Sequence, residues 1–385
     1  MIRFSTAGES HGQGIIAILE GIPAGLNINS EDIDVDLARR QKGYGRGQRM
    51  KIETDQVTIL SGVRFARTLG SPITLYVSNK DWQNWKSLMS PTGVDFDDKH
   101  LHKPRPGHAD LAGLMKYGVH DFRDILERAS ARETAARVAV GAVCRELLKE
   151  FGINIYSYVE KIGGISAKIS SVPKNELRHK AEMSFVRCPD PLATKKMIQL
   201  IKKSSSEGDT LGGKFKVIVE NLPVGLGSHT QWDSKLDGRI AQSLISIQAI
   251  KAVEFGLGTK FGEISGSDAH DEIYYSVKKG FYRNTNRAGG MEGGISNGEN
   301  IDVTCTMKPI PSLSKPLKSV NVHTKKFEKA EAIRSDVCAV PAAGIVAEAA
   351  VAFEIAKAMK EKFGGDCMDD MKSSYKAYIS RIRVI

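Results

Sequence analysis

The chain has 385 residues, of which 41% are hydrophobic and 26% charged, a balance typical of a folded globular protein rather than a disordered one. Lys and Arg total 55 against 45 Asp and Glu, giving a net charge of +10, but the cations are not gathered into the tails or aromatic-lined stripes of nucleic-acid binders. No apolar run is long enough to span a membrane, the N-terminus lacks a signal-peptide core, and the five cysteines show no CxxC spacing. The sequence therefore predicts a cytoplasmic protein without disulfides and without a metal site.

In the first quarter of the chain, β-branched and apolar runs alternate with turn residues and predict strands. Ser30, with the acids that follow it, predicts the start of a helix that ends in cations before Gly43. The predicted strands of this part are Met1–Thr6, Gly14–Leu19, Val57–Ser61 and Ile73–Val77.

In the rest of the chain, helical spacing of apolar residues is interrupted by further strand-like runs. Ser130 and Glu133 form a capping-box pattern, which predicts a helix over 131–151. Further helices are predicted over 192–206, 232–250 and 341–363, strands over 214–220 and 301–307, and a loosely held polar tail over 366–385.

Short turns containing glycine join many of the strands, which favours antiparallel over doubly wound sheets. No linker and no repeat divides the sequence. We therefore expect one α+β domain over residues 1–385.

Two glycine-rich patterns near the N-terminus match familiar motifs, but neither lies in the structural context that its motif requires. Gly8–Gly12 fits the nucleophile elbow of hydrolases, but that elbow should follow several strands. Gly12–Ala17 fits a dinucleotide fingerprint, but a strand follows it instead of the required helix. Ser10 and His11 still lie on a tight turn between glycines, where a loop histidine is more typical of an active site than of a core.

Arginines cluster beside glycine at three places. The first is the segment 39–49, where open backbone would let several guanidinium groups converge on one phosphate or carboxylate. A solvated basic loop is the alternative. The second is Arg105, which shares a proline-fixed turn with His108 ahead of a predicted helix, and there we favour proton handling for the histidine.

The third cluster is Arg128 and Arg132, four residues apart at the start of the predicted capped helix. Like charges at this spacing repel each other and oppose the helix dipole, each effect costing tenths of a kcal/mol to about 1 kcal/mol. A bound dianion would reverse both effects, so the pattern indicates a phosphate site. A poorly optimised surface is the alternative.

The last informative segments lie toward the C-terminus. The glycine-dense loop 286–298 is suited to wrapping a flat cofactor through backbone amides, and a plain flexible turn is the alternative. Arg334 and Asp336 lie just before the helix predicted at Pro341. Two alternatives are open: the two residues form an ion pair, or Asp336 acts as a base beside a cofactor.

Taken in order, these motifs resemble the chorismate synthase family from about Arg3 to about Ala358. Any one motif alone would be weak evidence, but the shared order is specific. The matching segments are Gly8–Gly12, Arg105–Asp110, Arg128–Ala135, Gly208–Gly213, Ala288–Gly298 and Arg334–Pro341.

The resemblance implies an anti-1,4-elimination of phosphate from 5-enolpyruvylshikimate 3-phosphate, giving chorismate in the shikimate pathway of aromatic amino acid biosynthesis. It implies reduced FMN as the cofactor, although the net reaction is redox-neutral. It also implies a β-α-β sandwich, with a helical layer between antiparallel sheets, assembled as a homotetramer. Whether the chain reduces its own flavin with NADPH or relies on an external reductant stays open.

The resemblance also assigns roles to single residues. His11 corresponds to the acid that protonates the leaving phosphate, and His108 to the histidine beside the flavin N1 and C2 carbonyl. Asp336 corresponds to the residue that relays the C6 proton with flavin N5, with the hydroxyls of Ser10 and Ser130 in that relay.

Binding residues follow from the same resemblance. Those expected to bind substrate or NADP are Arg40, Arg46, Arg49, Arg105 and Arg132, with Arg334 placed where the family binds substrate anions. Those expected to contact FMN are Arg128, Ala129, Ser130, Gln248, Ala249, Gly293, Lys308, Pro309, Ile310, Pro311, Ser312 and Arg334. Gln248 stands where many family members have asparagine.

Two alternatives remain at this stage. One is another enzyme that handles flavin or phosphate on the same scaffold. The other is a basic RNA-binding protein, which is disfavoured because a single Gly-Arg loop without aromatic stacking residues is a poor RNA site.

Overall fold

Two antiparallel sheets enclose a layer of helices in the computed structural model, which describes residues 1–47, 53–93, 99–331 and 335–384. The first sheet has the strand order β1–β2–β6–β3, with every neighbouring pair antiparallel. Its strands are β1 (Arg3–Ala7), β2 (Gly14–Glu20), β3 (Val57–Ser61) and β6 (Ile73–Ser78), and the short pair β4 (Val63–Arg64) and β5 (Arg67–Thr68) lies between β3 and β6 in the chain.

The second sheet has the order β10–β15–β9–β7–β8, again with antiparallel neighbours. Its strands are β7 (Asn154–Ile162), β8 (Ile165–Ser166), β9 (Gly213–Glu220), β10 (Ile250–Phe255) and β15 (Ile301–Met307). Separate hairpins are formed by β11 (Ile273–Ser276) with β12 (Gly280–Arg283), β13 (Met291–Glu292) with β14 (Ile295–Ser296), and β16 (Lys318–Val320) with β17 (Phe327–Lys329).

The helices are α1 (Ser30–Gln41), α2 (Trp82–Met89), α3 (Asp110–Tyr117), α4 (Arg123–Ala129), α5 (Thr134–Lys149), α6 (Leu177–Met183), α7 (Pro191–Ser206), α8 (Leu236–Ile245), α9 (Gly266–Ala269), α10 (Val340–Phe363) and α11 (Met368–Ile382). Helix α1 begins at an Asn29 cap, whose side chain accepts the Asp32 amide, one residue earlier than Ser30 had indicated. No described helix is long and apolar enough to cross a lipid bilayer.

Helices α1, α5 and α10 form the middle layer. Helix α5 packs on β2 and β6 of one sheet and on β7 of the other, while α10 packs on β7 and β9. The two helices approach closely at Gly141, where an added Cβ would lie 2.3 Å from the Cβ of Ala349. Helix α10 is rich in alanine and buried around most of its circumference, as expected of a helix between two sheets. The structure confirms the predicted α+β sandwich.

Two expectations about helices are wrong. The loose tail was expected over 366–385, but its described part, 366–384, is not loose, because α11 buries Met368 and Met371 and packs Tyr375 against Phe151 and Phe363. Polar residues between these apolar ones concealed a helical stripe.

The capping box at Ser130 also fails. Ala131–Glu133 is a separate 3₁₀ turn, and Glu133 accepts from Thr6 and Arg137 instead of reaching back to Ser130. Helix α5 therefore begins only at Thr134.

Candidate active site

The turn between β1 and β2 carries Ser10 and His11. Gly8 has φ +107° there, and an added Cβ would lie 2.2 Å from the carbonyl oxygen of Gly14, so only glycine fits. Asn79, which follows β6, donates its side-chain amide to the carbonyl oxygens of Glu9 (3.1 Å) and Gly12 (2.8 Å). The residue that follows β6 therefore holds this turn in place.

His11 is held by a buried carboxylate. Its backbone N–H donates to Glu127 Oε2 at 2.7 Å, and its Nδ1 lies 2.8 Å from Glu127 Oε1. The Glu127 side chain is 0% exposed. The imidazole also stacks on the indole of Trp85, with ring centroids 3.9 Å apart. The ring thus has a fixed orientation, with Nε2 as the nitrogen that can act on a ligand.

The two serines expected in a proton relay are brought together. Ser130 Oγ donates to Ser10 Oγ at 3.1 Å and accepts the backbone N–H of Arg132 at 3.3 Å. The amide of Ser10 donates to the carbonyl oxygen of Glu127. The hydroxyl pair therefore lies directly beside the His11 turn.

Arg40 and Arg132 share one buried carboxylate, Asp55. Arg40 Nη2 donates to Asp55 Oδ2 at 2.7 Å, Arg132 Nη1 donates to Asp55 Oδ1, and Arg132 Nε donates to Asn79 Oδ1 at 2.8 Å. Burial raises the pKa of Asp55, but the two guanidinium groups outweigh it and hold that pKa below its ordinary value.

Arg40 is buried and shares its carboxylate with a second cation. Burial lowers the pKa of Arg40, and the charges of Arg132 and Arg46 add to this against the opposing effect of Asp55. Arg40 Nε is also buried without a hydrogen-bond partner among the described residues. An anion that accepts a hydrogen bond from it would therefore be stabilised there.

Arg46 and Asp336 join two distant segments. Arg46 Nη1 lies 2.6 Å from Asp336 Oδ2, and the Gly47 amide donates to Asp336 Oδ1 at 2.6 Å. Asp336 is therefore ion-paired with Arg46. Arg49 and Arg334 lie outside the described residues, so the expected pair of Arg334 with Asp336 stays a prediction.

Arg105, His108 and Asp110 form a second histidine–carboxylate group at the start of α3. Arg105 Nε donates to Asp110 Oδ2 at 2.9 Å, and His108 Nδ1 hydrogen-bonds Asp110 Oδ1. Burial raises the pKa of Asp110, but the hydrogen bonds from His108 and Arg105 outweigh it and hold the pKa well below its usual range. Arg105 Nη1 also donates to Ser312 Oγ at 2.7 Å, which ties this group to the 308–312 segment.

Most of the expected flavin contacts are linked to one another. Arg128 donates to the carbonyl oxygens of Thr6 (3.0 Å) and Gly8 (3.1 Å), so it reaches the base of the His11 turn. Ala249 has φ +68°, unusual for a residue with a side chain, and accepts the amide of Lys308 at 2.9 Å. Ala129 ends α4 immediately before Ser130.

The segment from Lys308 to Ser312 is anchored at several points. The Lys308 side chain donates to the Gly107 carbonyl oxygen, and Thr210 Oγ1 donates to that of Ile310 at 2.7 Å. Burial, with the charge of Lys251, lowers the pKa of Lys308. Pro309 and Pro311 make this run rigid, so it keeps its position next to the Arg105 turn.

Gly293 is not brought to this group within one chain. It lies at the tip of the β13–β14 hairpin, and its neighbour Gly294 accepts the amide of Leu236 at the beginning of α8. Gln248 follows the other end of that helix. A helix of ten residues is about 15 Å long, so Gly293 and Gln248 lie at opposite ends of α8.

The two histidine groups belong to one continuous region. Ser335, next to Asp336, donates its hydroxyl to the Ser312 carbonyl oxygen at 2.7 Å. Arg46 connects to Asp336 on one side and lies near enough to Arg40 to affect its pKa on the other. A chain of contacts therefore runs from the Asp55 arginines to the Arg105 turn.

Arg128 and Arg132 both lie in this region of the candidate site. The prediction that they repel each other at the start of one helix is wrong. Arg128 is in the last turn of α4, where a cation is favoured, and Arg132 belongs to the following 3₁₀ turn. The two side chains are therefore not stacked on one helix.

Sequence reasoning missed the residues that hold the site together, namely Asp55, Asn79, Trp85 and Glu127. A possible signal for Glu127 was its place directly before Arg128 in a segment already singled out. Nothing in the sequence pairs it with His11, which is 116 residues away.

Comparisons with known proteins agree on one family. A family model described as chorismate synthase matches residues 2–360. A chorismate synthase of Endomicrobium trichonymphae is 68% identical over 385 residues, covering 100% of both chains, and one of Desulforudis audaxviator is 52% identical over 384 residues, covering 100% of this chain and 98% of the other. A crystal structure of chorismate synthase superposes with a TM-score of 0.81 at 43% identity, covering 100% of this chain and 99% of the other.

Proposed function

The chain belongs to the chorismate synthase family, and from this premise we propose that it eliminates phosphate from 5-enolpyruvylshikimate 3-phosphate to give chorismate. The observation that carries the proposal is the contact chain that joins two histidine–carboxylate pairs to a group of buried arginines. The proposed substrate carries a phosphate and two carboxylates, so it needs such surroundings.

The substrate anions would bind the basic side chains that the structure gathers. Arg40 and Arg132 share the carboxylate of Asp55, and Arg40 Nε is buried without a hydrogen-bond partner among the described residues. A bound anion would accept a hydrogen bond from it. Arg46 and Arg105 extend this surface toward Asp336 and His108, and Arg49 and Arg334 are proposed from the family resemblance alone.

His11 is the proposed acid for the leaving phosphate. Its Nδ1 pairs with Glu127, so the proton delivered is the one on Nε2. The phosphate would leave into the neighbourhood of Arg132, which is linked to the same turn through Asn79. Departure of a dianion beside a proton donor and a cation is the arrangement that lowers such a barrier.

Asp336 is the proposed residue for the C6 proton. Arg46 and the Gly47 amide fix its two carboxylate oxygens. Ser10 and Ser130 form a hydroxyl pair beside His11. Their proposed part is in the same relay of the C6 proton.

Reduced FMN fits one feature of the described residues. Gln248 Oε1 is buried and has no hydrogen-bond partner among them, which is costly unless a ligand donates to it. Residues proposed to hold the cofactor are Arg128, Ala129, Ser130, Gln248, Ala249 and Lys308 to Ser312. The flavin would supply electron density to the C–O bond that breaks, and His108, oriented by Asp110, would hold a proton toward the ring.

The test is anaerobic incubation of the protein with dithionite-reduced FMN and 5-enolpyruvylshikimate 3-phosphate. We expect chorismate and inorganic phosphate in equal amounts. His11→Asn and His108→Asn should each lower turnover at least ~100-fold, the scale for a positioned acid or base. Absence of both products from the unmodified protein would overturn the proposal, and NADPH in place of dithionite tests whether the chain reduces its own flavin.

We also propose that the active assembly is a homotetramer in the cytoplasm. The family resemblance supports the assembly, and the separation of Gly293 from the other flavin residues fits a site that a neighbouring chain completes. Light scattering should then give about four times the chain mass of 42.0 kDa. A monomer at micromolar concentration with full activity would contradict this assembly.

A further inference from the structure

Glu127 and Trp85 both contact the imidazole of His11. Glu127 is completely buried and gives both oxygens to one residue, since Oε2 accepts the His11 backbone N–H and Oε1 pairs with Nδ1. Trp85 covers the same imidazole, with rings 3.9 Å apart and 27° from parallel. One side chain therefore sets the charge next to the ring and the other sets its plane.

We propose that Glu127 and Trp85 are positioning residues of His11, which keep its imidazole protonated and present Nε2 to the leaving phosphate. The inference rests on the proposed role of His11 as the acid. Neither residue is proposed to contact the substrate.

The position of Glu127 is difficult to explain by packing alone. A buried carboxylate is unfavourable unless it is paired and hydrogen-bonded. Its interactions here are concentrated on His11, so the imidazolium form of the ring stabilises the carboxylate and the carboxylate stabilises the imidazolium. The Nδ1–H bond also fixes which nitrogen faces outward, as carboxylates do for metal-bound and catalytic histidines.

The position of Trp85 is equally unlike a core residue. Helix α2, which carries it, has no buried residue. The indole N–H donates to Asp81 Oδ2 at 2.9 Å, which fixes the ring from its edge. An aromatic face against an imidazolium gains a cation–π attraction. Trp85 thus favours the same protonation state as Glu127.

The other charged groups around the turn come from each neighbouring element. Glu9 lies on the turn itself and Asp81 precedes α2. Arg123 lies 5.6 Å from the Trp85 ring centroid, Arg128 reaches the turn through Gly8, and Arg132 through Asn79. Glu127 contacts the imidazole directly, with Oε1 2.8 Å from Nδ1, so its charge is the one that the experiment removes.

A fluorescence titration measures His11 without any assay of turnover. The chain has three tryptophans, so Trp82→Phe with Trp232→Phe leaves Trp85 as the sole indole. A protonated imidazole quenches a stacked indole more strongly than a neutral one, so emission against pH reports the His11 proton. The same background with His11→Asn should lose this titration.

We expect Glu127→Gln to move the quenching midpoint to lower pH by about one unit or more, the scale for losing an adjacent opposite charge. The fall of kcat at high pH should shift by the same amount, with KM for the substrate little changed. Glu127→Asp should retain most of the midpoint but lower kcat, because the charge stays while its position changes. Glu146→Gln, which removes a carboxylate paired with Lys149 on α5, is the matched control and should leave the midpoint unchanged.

Trp85→Leu should lower kcat about 10-fold with little change in KM, while Trp85→Phe should stay within about threefold, because phenylalanine keeps the stacking face. Trp82→Phe on the same helix is the control. Equal losses in Trp85→Leu and Trp85→Phe would overturn the stacking role.

An unchanged midpoint in Glu127→Gln, with His11→Asn inactive, would overturn the inference and leave the proposed function standing. Full turnover in His11→Asn would instead overturn the acid role and, with it, this inference. If Glu127→Gln does not fold, Glu127→Asp decides the matter: a lowered kcat with a kept midpoint supports the positioning role, and an unchanged kcat overturns it.

Discussion

Arg39 and Arg40 are neighbours on α1, yet they belong to opposite kinds of electrostatic environment. Burial lowers the pKa of Arg39, but the charges and hydrogen bonds of Glu348, Glu182 and Asp36 outweigh it and raise that pKa. For Arg40, burial and two neighbouring arginines act together to lower it. The side chains point into different clusters because successive residues of a helix face directions about 100° apart.

The cluster around Arg39 is balanced and closed. Glu348 is fully buried on α10 and pairs with Arg39, Arg145 and Arg187, while Ser157 donates to it at 2.7 Å. It links α1, α5, α10 and β7, so it joins the helical layer to the second sheet. These residues form the Glu348 cluster.

The cluster around Arg40 is the opposite case, with Arg132 and Arg46 adding positive charge and Asp55 shared between two arginines. We call it the Asp55 cluster. The comparison teaches that a buried arginine alone does not indicate a binding site. Arg39 pairs with three carboxylates of the chain, whereas Arg40 pairs with one that Arg132 also uses.

The largest effect is expected from Glu348→Gln. Three arginines would lose their shared charge inside the protein, and breaking such a buried group costs about 3–5 kcal/mol of unfolding free energy. Denaturant unfolding measures it, and activity per folded molecule should stay near that of the unmodified protein. Glu207→Gln, on an exposed pair with Lys203, is the control and should change stability by less than about 1 kcal/mol. Equal stability of the two variants would mean that the Glu348 cluster is not structural.

The adjacent arginines give the most direct test of the comparison. Arg40→Met should weaken substrate binding about 10–100-fold, because hydrogen bonds to charged groups contribute about 1.5–3 kcal/mol, with a smaller loss of stability. Arg39→Met should do the reverse, lowering stability and leaving the substrate dissociation constant of the folded protein unchanged. Isothermal titration with the substrate and oxidised FMN, together with denaturant unfolding, measures both quantities. If the two variants lose the same property, the distinction between the clusters is wrong.

Much of the fold could be predicted from the sequence, and the site less so. Strands Val57–Ser61 and Ile301–Met307 were predicted to the residue, because alternation and turn residues mark them locally. Strand β7 was not predicted, since it is buried along most of its length between α10 on one face and α6 on the other and so shows no clean alternation.

The site resisted prediction for a different reason. Its basic and imidazole residues can be recognised in the sequence by their type and by the glycines beside them, and the family resemblance gives their order. Their anionic partners cannot be recognised in this way, because Asp55 and Glu127 are ordinary carboxylates until folding places them against residues far away in the sequence. For the same reason the sequence could not separate Arg39 from Arg40.

The pH dependence of stability should also distinguish the clusters. Burial raises the pKa of Glu348, but Arg39, Arg145 and Arg187 hold it far below its ordinary value of 4.5. Its contribution to stability is therefore complete above about pH 4.5 and is lost as the pH falls below that value. Glu348→Gln should make stability less steep in this acid range, by up to about 1.4 kcal/mol per pH unit for one proton. Parallel acid curves for the variant and the unmodified protein would contradict the assignment.

The smallest effect is expected for two polar side chains, one from each region. Ser157 belongs to the Glu348 cluster, and Gln248 is one of the expected flavin contacts. Ser157 donates to Glu348 and is buried, so Ser157→Ala should cost about 1–3 kcal/mol of stability and leave FMN affinity unchanged. Gln248 reaches Glu133 only at 3.5 Å, and its buried Oε1 has no partner among the described residues.

Gln248→Ala should therefore leave stability within about 0.5 kcal/mol, because the chain itself makes little use of this amide. It should weaken FMN binding about 3–10-fold, the net worth of one hydrogen bond. Quenching of flavin fluorescence on binding measures the affinity, and thermal unfolding without flavin measures stability. A stability loss as large as that of Ser157→Ala, with unchanged flavin affinity, would place Gln248 among the structural residues and leave its orphaned oxygen without a ligand to explain it.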